Sequence, residues 1–179
     1  MFKTISKLSS ISSFNSSDII LNQTSIDKIN STVAYSLSKN PERDYNSALK
    51  RCTIAQTAEQ KVAEILNGYN TNFDIDYDDP YTYSFDVLAG FEFYNTRIEV
   101  KTHQSNSKWI TVNIDRHNKN NYMNLYPFLE YGIADVIVIY KTDGIIFNNV
   151  FVGSVNDIKP LIKKSHIQYT YQTLQQLVA

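Results

Sequence analysis

Thr96-Arg97-Ile98-Glu99-Val100-Lys101-Thr102 alternates charged and apolar side chains and reads as a β-strand. Successive side chains of an extended chain point to opposite faces, so Glu99 and Lys101 emerge together, about 7 Å apart, while Ile98, Val100 and Thr102 face the other way. Thirteen residues before Glu99, Asp86 sits in a second strand-like segment, Ser84-Phe85-Asp86-Val87-Leu88. The connection 90–95 is short enough to fold the two segments into an antiparallel pair, with Asp86 beside Glu99. Two adjacent carboxylates repel until something neutralises them. A hard cation such as Mg²⁺ does so, since it is held by one or two carboxylates together with waters and phosphate oxygens.

The rest of the chain supplies the context. Its 179 residues suit one domain with an N-terminal extension, and 42% apolar residues suit a soluble globular protein. No apolar run approaches the roughly 18 to 20 residues of a membrane span. The lone Cys52 cannot form an internal disulfide, and its place on an apolar helix face predicts core packing in a reducing compartment. The net charge of −1 conceals an asymmetry. Between residues 74 and 99, Asp74, Asp76, Asp78, Asp79, Asp86, Glu92 and Glu99 face Arg97 alone, whereas from residue 100 onward eight Lys and Arg outnumber five acids. A basic half on phosphates and an acidic stretch on metal would use that division.

Phe2, Ile5, Leu8, Ile11 and Phe14 recur every third residue in a Ser- and Asn-rich segment, an apolar stripe if helical; a loosely ordered or partner-dependent arm is expected there in preference to an organellar presequence. Ile26, Ile29, Val33 and Leu37 predict a helix ending before Pro41. Asn40-Pro41 then reads as the start of a second helix reaching Leu66 and closing at Gly68, with Tyr45, Leu49, Cys52, Ala55, Val62 and Leu66 as its apolar face. Glu59 falls on that face. A buried carboxylate needs a partner or a metal, and Lys61 or a neighbouring helix is the partner to expect if no metal is involved. Glu64, about 140° around the helix, is expected in solvent. The acids from Asp74 onward are not an EF-hand, because Asp79 and Phe85 stand where that loop needs Gly and Glu.

Tyr81 to Val87 alternate as a strand, Trp109 to Ile114 as a third one, and Tyr122, Leu125, Tyr126 and Leu129 predict a helix that Pro127 kinks or divides. Ala134-Asp135-Val136-Ile137-Val138-Ile139-Tyr140 is apolar enough for a central strand buried on both faces. Thr142-Asp143-Gly144 turns it into a returning strand to Val152, and Ser154 with Asp157 opens a short helix. In the tail, Ile167, Tyr169 and Tyr171 alternate as in a strand, while Leu174, Leu177 and Val178 suit a helical turn. The whole is an α/β arrangement with a mixed central sheet flanked by helices.

Asp86 followed by Glu99-Val100-Lys101 resembles the Asp…Glu-x-Lys signature of the PD-(D/E)xK nuclease superfamily, and the order of elements over residues 41–152 resembles its restriction-endonuclease-like core. Phe85 replaces the name-giving Pro, which the superfamily tolerates, and the spacing from Asp86 to Glu99 lies within its loose range. The resemblance implies an N-terminal arm and helix over 1–40 and a nuclease domain over 41–179. It also implies a metal-dependent phosphodiester hydrolase acting on DNA, with RNA as the other polymer sharing such a site. Asp86, Glu99, Glu59 and the carbonyl of Val100 would hold Mg²⁺, with Mn²⁺ as a substitute, and Lys101 would orient water and offset the developing charge. A homodimer or higher homo-oligomer in the cytoplasm of a bacterial or phage-infected cell is the expected setting. His103, Lys108, Arg116, His117 and Lys119 lie beyond the motif as candidate phosphate contacts. A His-Asn-His metal finger from His103, Asn113 and His117 competes with this reading but leaves Glu-x-Lys without a role. The alternative function is a non-catalytic nucleic-acid or protein-binding module on the same fold.

Overall fold

The alternating stretch is realised as β4 (Arg97–His103) in a computed structural model of the chain, which describes residues 8–71, 85–104, 109–114, 123–158 and 166–170. Strand β3 (Val87–Leu88) pairs antiparallel with β4, Val87 opposite Ile98 and Leu88 opposite Arg97. Tyr94 and Asn95 close the turn in left-handed conformation, at φ 58° and 51°. On its other side β4 runs parallel to β7 (Val136–Thr142), from Ile98 opposite Val136 to His103 opposite Lys141. Strand β7 returns antiparallel as β8 (Ile146–Ser154). Two-residue strands complete the ends, β1 (Phe14–Asn15) on β8 and β2 (Tyr69–Asn70) on β3, giving the order β1-β8-β7-β4-β3-β2. The sheet is mixed, and residues 136–140 of its central strand are buried without interruption. The first half of the expected strand at 81–88, and the acids from Asp74 to Asp79, lie outside the described residues.

Helices α1 (Gln23–Lys39) and α2 (Tyr45–Ile65) precede the sheet and pack on each other. The expected start of α2 at Asn40-Pro41 is corrected. Asn40 ends α1, its N–H reaching Ser36 O at 3.1 Å, and Asp44 caps α2 by accepting from Ser47 N at 2.7 Å. The expected apolar face also shifts, since Tyr45 is exposed. Helix α2 lies between two partners and carries two stripes. Ile54, Ala58, Val62 and Leu66 meet Ile98, Val100, Val136 and Val138 of the sheet, while Ala48, Leu49 and Cys52 meet Ile29 and Val33 of α1. Glu64 is exposed, as expected.

The segment from Leu8 onward is built into the core. From Leu8 on, where the stripe is described, it does not form an α-helix: two 3-10 turns, Leu8–Ser10 and Ser16–Asp18, flank β1, and Phe2 and Ile5 lie outside the described residues. Asn15 caps the second through Ser17 N, the local side-chain bonding by which Ser and Asn compete with helix. Leu8, Ile11 and Phe14 are buried, and Phe14 stacks on Phe147 with centroids 4.5 Å apart.

The third strand, β5 (Trp109–Asn113), belongs to a second sheet with β6 (Met123–Asn124) and β9 (His166–Thr170), in the order β6-β5-β9. Joining the parallel pair β4 and β7 requires a crossover over one face of the main sheet. Strand β5 lies in that crossover, and its Ile110 and Val112 cluster with Ile137 and Ile139. Helix α3 (Tyr126–Tyr131) is also there, with Phe128 buried. Pro127 does not kink it, because the proline falls in the first turn, where no helical N–H partner is lost. Helix α4 (Val155–Ile158) is capped as expected, Asp157 Oδ2 accepting from Ser154 Oγ at 2.7 Å. No helix among the described residues is long and apolar enough to cross a membrane.

Candidate active site

The β3–β4 hairpin fixes Asp86 from both sides. Its N–H donates to Ile98 O at 3.0 Å, and its carbonyl accepts from Thr71 N at 2.9 Å. Beyond Val87 the carboxylate itself continues the ladder: Val100 N donates to Asp86 Oδ2 at 2.9 Å. In a strand the N–H and C=O of one residue leave on the same edge, so the Val100 carbonyl is directed to the side of β4 that carries Asp86.

Glu99 and Lys101 share a face as the alternation requires. Glu99 is only 4% exposed, and its Oε1 accepts from Lys101 Nζ. The Lys101 ammonium also stands 5.0 Å from the ring centroid of Phe128 on α3, so an aromatic covers the cation. His103 continues the row, partly buried, with its pKa lowered by burial and by nearby Lys141. At the other end Arg97 grips Asp135, Nε to Oδ2 at 3.0 Å and the terminal nitrogen to Oδ1 at 2.8 Å, tying the start of β4 to the start of β7.

Glu59 comes from α2 and is 5% exposed. Its partner is Lys28 of α1: Lys28 Nζ and Gln56 Nε2 both donate to Glu59 Oε2 at 2.6 Å. The neighbouring helix therefore supplies the partner. Lys61 instead stands 5.8 Å over the Phe14 ring.

These groups act on one another. Burial pushes Glu59 up to about 7, the Asp86 charge adds to the rise, and Lys28 opposes it. Burial likewise raises Glu99 well above the carboxylate range, again with Asp86 adding and Lys101 opposing. Burial disfavours both ammonium charges, but the acids prevail: Glu59 then Asp86 raise Lys28, and Glu99 then Asp86 raise Lys101. Three carboxylates and two lysines thus form one electrostatic cluster with carboxylate in excess.

Among the described residues no three acidic, His or Cys side chains converge as a ready-made metal cluster. The donor set nevertheless suits a hard cation. The bonds above engage Asp86 Oδ2, Glu99 Oε1 and Glu59 Oε2, leaving the second oxygen of each carboxylate outside them, and the Val100 carbonyl adds a fourth hard oxygen.

The structure sets Asp86 against Val100, pairs Glu99 with Lys101 on one face of β4 with His103 further along it, and couples Glu59 to Asp86 and Glu99 through their charges without gathering the three carboxylates around one point. Lys108, Arg116, His117 and Lys119 lie outside the described residues, as does the His117 of a His-Asn-His finger, whose Asn113 is buried in β5. Sequence reasoning missed Lys28 and Gln56. Their signal was present: Lys28 follows Ser25 by three residues and adjoins Ile29 on the buried side of α1, where a lysine needs a partner as much as Glu59 does.

Residues 1–171 match the family model described as bacteriophage T4 endonuclease IV. Endonuclease IV of Enterobacteria phage T4 is 39% identical over 155 residues, a match covering 82% of this chain and 84% of the relative. No solved structure matches the chain.

Proposed function

The chain belongs to the bacteriophage T4 endonuclease IV family, and from that premise we propose that it is a metal-dependent DNA endonuclease of the PD-(D/E)xK type, with a restriction-endonuclease-like core. One observation carries the assignment of the site: the Asp86 carboxylate is clamped to β4 at Val100 N, between Glu99 and Lys101, which are paired with each other. A salt bridge on an exposed strand would need neither the burial of Glu99 nor a second carboxylate beside it.

Hydrolysis adds water to phosphorus, breaks one P–O ester bond and returns a proton to the leaving oxygen, while negative charge grows on the phosphate. Asp86, Glu99, Glu59 and the Val100 carbonyl would hold Mg²⁺, or Mn²⁺ in its place, which supplies Lewis acidity and positive charge there. The Lys101 ammonium, held between Glu99 and the Phe128 ring, would orient the attacking water and meet the developing charge. Asp86 keeps its orientation because its backbone and carboxylate are both bound. His103, on the same face further along β4, would contact a phosphate next to the scissile one.

The test is cleavage of supercoiled plasmid by purified protein with Mg²⁺ or Mn²⁺, beside EDTA, Asp86→Ala and Lys101→Ala controls. Metal-dependent nicking or linearisation that both substitutions abolish, with folding intact by circular dichroism, is expected. No cleavage of duplex, single-stranded or branched DNA or of RNA by folded protein would overturn the reading in favour of a binding module.

A further inference from the structure

We propose that Lys28 is a positioning residue of the active site, delivered by α1 to fix the Glu59 carboxylate through one oxygen and leave the other for the reaction; this rests on the site reading above. Lys28 and Glu59 are separated by 31 residues, meet at 2.6 Å, and have side chains only 11% and 7% exposed. A buried ion pair of this kind is a poor stabiliser. The cost of desolvating both charges consumes most of the attraction, and an apolar pair of similar volume would hold α1 to α2 as well or better. Its presence is better explained by what it does to Glu59.

The geometry is one-sided. Both donors, Lys28 Nζ and Gln56 Nε2, end on Oε2. A purely structural clamp gains most by bonding both carboxylate oxygens, whereas this one secures the rotamer and spares Oε1. Gln56 is itself committed to Glu59, being 4% exposed, with an Oε1 that has no hydrogen-bond partner among the described residues. An amide that leaves its own acceptor unmet while donating to Glu59 is held for that bond. Lys28 also feels Asp86 and Glu99 as well as its direct partner, which places it inside the cluster. It balances the third carboxylate as Lys101 balances the second, from a different element. Helix α1 is thereby part of the active site.

The experiment compares wild type, K28M, K28R, E59Q and the K28M/E59Q pair in the full-length protein. Four quantities are read: melting temperature, DNA affinity without divalent metal, Mn²⁺ affinity by electron paramagnetic resonance without DNA, and single-turnover cleavage. K28M is expected to bind DNA as wild type does, but to lose about 10- to 100-fold in cleavage and in Mn²⁺ affinity. K28R should restore most of both, and K28M/E59Q should be no slower than E59Q alone, because Lys28 acts through Glu59. If K28M does not fold, K28A, which removes both the charge and the donor to Oε2, takes its place. A folded K28M or K28A with wild-type cleavage and Mn²⁺ affinity overturns the proposal, as does a double variant whose defects multiply. Cleavage by wild type and its loss in Asp86→Ala, measured in the same series, keep the nuclease reading separate from this outcome.

Discussion

Lys101 is held on one side by Glu99 and on the other by the face of Phe128, so its ammonium has little freedom before any substrate arrives. Replacing it with methionine preserves the packing of the stem and removes only the charge. Single-turnover cleavage is expected to fall by about 10² to 10³, the loss typical of one preorganised donor to a developing charge, with little change in DNA affinity. The excess of carboxylate over lysine carries a second prediction. Mn²⁺ should raise the melting temperature of the wild-type protein by binding the folded state alone, and should raise it less in Asp86→Asn or Glu99→Gln. A third concerns Asp135. Burial opposes its ionisation, but its bonds to the Arg97 side chain and N–H prevail and hold the carboxyl below its ordinary value of 3.8. On acidification the unfolded chain therefore takes up this proton first. The stabilisation is complete above that value and is lost as pH falls from it through the lower pKa of the folded state. Asp135→Asn should be less stable near neutrality, by no more than about 1 kcal/mol since the pair is partly exposed to solvent, and the gap should close as pH falls below 3.8 in urea titrations.

At the scale of elements, the hairpin that places Asp86 is held against the exit of α2 by backbone-to-backbone contact. Gly90 N donates to Leu66 O at 2.9 Å, while Gly68 N closes the helix end on Ala63 O at 2.8 Å. A Cβ on Gly68 would stand 2.4 Å from Leu88 O, and one on Gly90 2.5 Å from Asn67 O. Gly68→Ala must push β3 away from the helix. It is expected to cost about 1–3 kcal/mol in chemical denaturation and to lower cleavage as well, since Asp86 follows β3. Strict alternation and a short connection made the β3–β4 pairing legible, and the uninterrupted apolar run marked β7 as central. Glu59 was legible because a carboxylate on an apolar stripe contradicts its surroundings. What periodicity cannot carry is the identity of a distant partner. It marked β5 as a strand but could not say which sheet receives it, and it demanded a partner for Glu59 without finding Lys28 on another helix. The misplaced start of α2 is a local error of another kind. Asn40-Pro41 is a sound initiation signal, but Asn40 is used in ending α1, so Asp44 caps the next helix.

For the molecule as a whole, the N-terminal segment and α1 contribute to the same core and the same cluster as the sheet. Leu8, Ile11 and Phe14 are buried among residues of α2 and β8, and Lys28 reaches Glu59. Deleting residues 1–40 should therefore abolish the cooperative thermal transition and the near-ultraviolet dichroism of the aromatic core as well as activity, which calorimetry and spectroscopy on the truncated chain would show.

The residues around β1 also bear on biogenesis. Ser13 Oγ accepts from Asn149 N, Ile11 O from Asn149 Nδ2 and Ile145 O from Ser16 N, so this short stretch blankets part of the outer margin of β8, the longest strand described. An uncovered strand of that length is a template for pairing with another chain. A ribosome delivers residues 11–16 long before it delivers 146–149, so the blanket is already waiting when the strand it must cover emerges. The order of synthesis itself then guards the nascent protein against sticking to its neighbours.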